Sequence, residues 1–166
     1  MKITATEEYG MRCMLQLALR SGQTVSLAEL AETEGLALPF AAKVLAQLRR
    51  ASLVVAVRGR HGGYQLAVPP ERISVAAILA ATGRPLFDSS FCRTHSGPMG
   101  DDCARLSECA LRPVWSHLDA LLRQFFGQTT LADLAAGERK THDYLAAHWP
   151  LQRRPRGTTS GAATRP

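Results

Sequence analysis

Between Glu34 and Glu71 the chain has no aspartate and no glutamate. The same interval holds Lys43, Arg49, Arg50, Arg58 and Arg60, so it carries a local charge of +5 against +6 for the whole chain. A basic block of this kind within a segment that has folding signals is the footprint expected of a phosphate-binding surface. Long apolar runs are also missing. No stretch approaches the roughly 18 uninterrupted apolar residues of a membrane span. Glu7, Glu8 and Arg12 break the opening MKITATEEYGMRCMLQLALR, which therefore does not read as a signal peptide. A cytoplasmic protein with reduced thiols and no membrane partner is expected. There is no C-x-x-C, no phosphate-binding loop and no Ser/His/Asp grouping in a recognisable context, so an enzyme is not expected. No internal repeat is evident, and the last stretch, LQRRPRGTTSGAATRP, has four arginines and no acid and reads as disordered.

What is present is mostly helical. At 166 residues and 46% apolar content the chain fits one domain, or one domain with an appended helix. TATEEYGMRCMLQLALRSG has helical periodicity, with Thr4 or Thr6 as cap and Gly22 past its end. TVSLAELAETEG opens on the Ser26/Glu29 capping-box pair and stops at Gly35. In LALPFAAKVLAQLRRAS, Pro39 suits the first turn, and Phe40, Val44, Leu45 and Leu48 make an apolar stripe. Two helices joined by EGLAL form a helix-turn-helix. The β-branched LVVAV, the glycine-rich turn RGRHGG and the alternating YQLAV then predict a two-stranded hairpin, the wing. Pro69 and Pro70 close the unit, and SVAAILAATG reads as a short helix capped at Ser74.

The expected fold is mostly α with a small β-hairpin: a winged helix-turn-helix domain over 1–84, a cysteine-bearing loop over 85–110, a long helix and helical segment over 111–148, and a basic tail over 149–166. If the third helix enters a major groove, Pro39, Phe40 and Lys43 face base edges and Arg49 and Arg50 reach phosphates. Arg58, Arg60 and His61 lie on the wing, where an arginine can enter a narrow minor groove. Gly59, Gly62 and Gly63 would let the wing backbone turn and approach the duplex. The expected partner is double-stranded DNA. The long helix places Leu111, Trp115, Leu118, Leu122 and Phe125 at spacings of 4, 3, 4 and 3, a seam that suits packing on another helix, its own or a second protomer's. Pro113 must then sit in its first turn.

Cys13 lies on the apolar stripe of the first helix and reads as a small buried hydrophobe. Cys92, Cys103 and Cys109 are spaced C-x10-C-x5-C ahead of that long helix. Three reduced thiols in one loop invite a metal. Zinc would take Cys92, His95, Cys103 and Cys109, with His117 more remote, whereas an iron–sulfur cluster prefers thiolates and accepts another ligand. The residues alone do not separate the two.

The opening MKITATEEYGMRCMLQLAL, the stretch LALPFAAKVLAQLRRASLVVAVRGRHGGYQLA and the three cysteines followed by ALRPVW resemble the winged-helix iron–sulfur regulators that include IscR, NsrR and RirA. The resemblance covers residues 1 to about 145. It implies a homodimeric transcriptional regulator acting on near-palindromic DNA. It also implies a 4Fe–4S or 2Fe–2S cluster on Cys92, Cys103 and Cys109, and a dimer interface along the long helix. IscR-like members use a histidine three residues after the last cysteine; here that position is Arg112. NsrR-like members use a carboxylate near the start of the first helix, reaching across the dimer. Glu8 matches that position and is the implied fourth ligand, with His95 as the alternative. The first cysteine interval is longer than is usual in the family.

Overall fold

The computed structural model describes residues 3–83, 103, 105 and 108–150. Helix α1 spans Ala5–Leu19. Thr4 caps it in a closed capping box: the Glu7 amide donates to Thr4 Oγ1 at 3.3 Å, and Glu7 Oε2 accepts from the Thr4 amide at 2.7 Å. Helix α2 spans Leu27–Thr33. Ser26 Oγ accepts from the Glu29 amide at 3.1 Å, but the Glu29 carboxylate is engaged by Arg20, so half of the expected box forms. Gly35, at φ +64°, supplies the left-handed residue that turns the chain toward α3, Leu38–Arg50, with Pro39 in its first turn.

The wing is β1, Val54–Val57, paired antiparallel with β2, Gly63–Leu66, in a register that sets Val54 opposite Leu66 and Val57 opposite Gly63. Val25 adds a bridge on the far side of β2, its amide donating to Tyr64 O at 3.0 Å and its carbonyl accepting from Tyr64 N at 2.8 Å. This explains Gly63. Any Cβ there would run into the Val25 carbonyl, so the glycine permits a close approach of two backbone segments within the protein.

A 3-10 turn at Pro70–Arg72 leads to α4, Val75–Thr82, capped by Ser74 as expected. Helix α5 is Leu111–Gln128, with Pro113 inside its first turn. The remaining segment divides into α6, Leu131–Ala135, with its own Thr130/Asp133 capping box, and α7, Glu138–His148, separated by Gly137 at φ +95°.

Met14 and Leu17 of α1, Leu30 of α2, Val44, Leu45 and Leu48 of α3, Ile73 and Ile78 form one core. Helix α1 packs against α3, α4, α6 and β2. Gly10 lets α1 and α4 touch: a Cβ there would stand 2.7 Å from Thr82 Cγ2. Leu131, in α6, is fully buried in this core. It is held there by backbone bonds that stitch 129–131 to the strand-like stretch before α4, from Val75 N to Thr129 O at 2.9 Å and from Leu131 N to Ile73 O at 2.8 Å. The core of the winged unit is therefore finished by a residue well beyond position 84.

Candidate nucleic-acid interface

The buried side of α3 consists of Ala41, Val44, Leu45 and Leu48. Its opposite side presents Pro39, Lys43, Arg49 and Arg50 to solvent. Phe40 does not join them. It is half-buried against the core, its ring edge-on to Tyr9 with centroids 5.8 Å apart. Phe40 belongs both to the apolar stripe and to the first turn, and burial of its ring wins, so its place is beneath the helix rather than toward bases. Leu38, which sequence reasoning passed over as part of the turn, is instead 50% exposed at the first helical position.

Helix α3 has no side-chain cap and no acid in its first turn, so nothing negative competes for a phosphate near its start. Among the described residues, none of Lys43, Arg49, Arg50, Arg58 and Arg60 is paired with a carboxylate. On the wing, Gly59 at φ +121° turns the tip that carries exposed Arg58, Arg60 and His61. Gly62 packs against the Val57 and Gly59 carbonyls, which leaves no room for a Cβ. Arg49 and Arg58 line one open hollow of about 400 Å³ at the base of the wing, with Ser52, Val55 and Ala67 among its walls. The end of α3 and the base of the wing thus meet at Arg49 and Arg58.

The thiols divide as their surroundings dictate. Cys13 is fully buried, and burial, followed by the charge of Glu34, pushes its pKa up to about 11. Cys103 and Cys109 are half-buried, and no disulfide joins the described cysteines. Cys92 and His95 lie outside the described residues, and among the described residues no three His, Cys, Asp or Glu side chains gather as a metal site. The two acids at the start of α1 have different surroundings. Glu7 is spent on the cap and fills the space beside Gly83, whereas the Glu8 carboxylate is on the surface, 3.0 Å from Arg12 Nε. Arg12 also lies 3.6 Å from Glu34 and over the Tyr9 ring.

Only Asp119 of α5 is buried, and Arg123 Nε donates to its Oδ2 at 2.6 Å. Leu111, Val114, Trp115, Leu118 and Leu121 form an exposed apolar face. The expected seam splits here: Leu122 and Phe125 turn toward their own chain, where the Phe125 ring meets Phe126 and Trp149.

A winged helix whose third helix and wing both expose basic side chains is the arrangement of a DNA-binding transcriptional regulator. Comparison with known proteins agrees. A profile of the Rrf2 family, described as an iron-dependent transcriptional regulator, matches residues 3–137, and the chain belongs to that family. It is 32% identical over 139 residues to the transcriptional regulator IscR of Sodalis glossinidius, covering 83% of this chain and 81% of that one. Among solved structures it is similar to CymR, the global cysteine regulator of B. subtilis, at TM-score 0.66 and 28% identity over 82% of this chain and 97% of that one. It is also similar to T. potens IscR, at TM-score 0.63 and 27% identity over 92% and 94%. Among the described residues no helix is long and apolar enough to cross a membrane.

Proposed function

We propose that this regulator binds its operator as a homodimer and that an iron–sulfur cluster controls the binding. The observation that carries the reading is the donor set. Cys103 and Cys109 are half-buried and free of any disulfide just ahead of α5, and Cys92 completes the triad in sequence. Glu8 keeps an exposed carboxylate while its neighbour Glu7 is consumed by the helix cap. Three thiolates and one oxygen or nitrogen donor suit a 4Fe–4S or 2Fe–2S group, with His95 as the alternative to Glu8. Such a group would supply a bond network that oxidation, nitric oxide or iron shortage can dismantle. The named IscR relatives and the family's iron-dependent description support the same reading.

The exposed face of α5 is the surface on which a second copy would lie. Two winged units joined there would present two recognition helices to a near-palindromic site. Holding the loop of one protomer to Glu8 at the start of the other's α1 would set the angle between the two units, and with it the half-site spacing they can span. A coupling of about 1–3 kcal/mol is usual for such linkage.

Anaerobic purification tests this, with a visible spectrum and assays of iron, acid-labile sulfide and zinc on one sample. Iron and sulfide in stoichiometric amounts are expected, with a shorter cluster lifetime in Glu8→Ala. About one zinc per chain without sulfide would replace the cluster with a closed Cys92, His95, Cys103 and Cys109 site. Equal operator affinity of loaded and cluster-free protein at fixed salt would refute the switch.

A further inference from the structure

The exposed start of α3 carries few groups able to hydrogen-bond a base. Leu38 and Ala42 are four apart on one row of the helix, and Pro39 and Lys43 are four apart on the next. Lys43 is the one side chain of these four with a donor, and Phe40 is withdrawn onto Tyr9. Leu38 is half exposed in a helix whose other leucines, Leu45 and Leu48, are fully buried. An exposed leucine at the first position of a helix that enters a major groove meets base edges, and the apolar feature available there is the 5-methyl of thymine.

We infer that Leu38 is a specificity-determining residue that reads a thymine methyl group, with Pro39 and Ala42 forming the rest of an apolar patch. Lys43 supplies the neighbouring polar contact. The preference is one of shape and desolvation: cytosine has no methyl at that edge and presents an amino donor, which Leu38 cannot accept. The inference rests on α3 being the element that enters the major groove.

The test uses the full chain, purified anaerobically, and a duplex enriched by it from a random-sequence pool. Each thymine is replaced in turn by uracil, which removes only the methyl group. Burying one methyl corresponds to a loss of about fourfold in affinity, and one thymine per half-site is expected to show it. In Leu38→Ala, with an unchanged unfolding midpoint, the thymine-to-uracil ratio at that position should fall to near one. Lys43→Ala should weaken both duplexes by a common factor and keep the ratio. Equal binding of all thymine and uracil duplexes by the unmodified protein would overturn the inference, and so would a ratio unchanged in Leu38→Ala. If Lys43→Ala leaves affinity untouched, it is the placement of α3 in the groove that fails, a result separable from the loss of methyl reading alone.

Discussion

Replacing Gly10 by alanine should destabilise the protein, although alanine is the better helix former. A Cβ at position 10 would meet Thr82 Cγ2 at 2.7 Å, Oγ1 at 3.3 Å and Cβ at 3.4 Å. Thr82 has little room to retreat: it is buried, β-branched within α4, and its hydroxyl donates to Ile78 O at 2.9 Å. Overpacking of this kind costs about 1–3 kcal/mol. The gain in helix propensity offsets about 1 kcal/mol of it, so the net loss is about 1 kcal/mol at the middle of that range and about 2 kcal/mol at its top. Thr82→Ser removes the colliding methyl and keeps the hydroxyl. Alone it should cost about 1 kcal/mol for the lost apolar group. Combined with Gly10→Ala it should recover stability, because the new methyl fills the vacated space and the propensity gain remains. Urea unfolding of the four proteins at one concentration closes the cycle, with an expected coupling of about 2 kcal/mol. A Gly10→Ala protein at least as stable as the parent, or a coupling near zero, would refute the close contact between α1 and α4.

Two further outcomes follow from charge and burial. Arg58→Ala should weaken DNA binding and make the dependence of log affinity on log salt shallower by about 0.9, measured by titration at several salt concentrations; an unchanged slope would remove Arg58 from the phosphate contacts. Cys13 titrates near 11 in the folded protein against an ordinary value of 9.0, so its contribution to stability is complete below pH 9 and is lost as pH rises toward 11. The stability difference between the parent and Cys13→Ala should accordingly shrink by roughly 2–3 kcal/mol across that window in urea unfolding, and a constant difference would contradict the buried thiol.

Local chemistry was the legible part of this fold. Thr4, Ser26 and Ser74 cap the helices where their spacing says they should, Pro39 and Pro113 sit in first turns, and the glycine-rich turn makes the wing. The winged architecture and the basic face follow from these signals, since each depends on residues within a few positions of one another. Features set by distant contacts were not readable. Nothing near Leu131 announces that it plugs the core, and nothing near Phe40 says that Tyr9 will draw it inward. The seam on α5 shows a subtler cause. Its spacing of 4, 3, 4 and 3 keeps all five residues on one side of the helix. What differs is cover from distant sequence: the ring of Phe125 meets Trp149 of its own chain, while Leu111, Trp115 and Leu118 stay exposed and Val114 and Leu121 complete that face. Of the cysteine site, Cys103 and Cys109 were legible as free thiols.

The placement of Leu131 has a consequence for how the molecule is made. Synthesis runs from the N-terminus, and a nascent chain that has reached residue 84 has every helix and strand of the winged unit but lacks the side chain that fills its centre. The contact between Ile73 and Leu131 spans the whole intervening thiol-bearing stretch. The core of the winged unit is therefore complete only in a chain that already carries Cys92, Cys103 and Cys109.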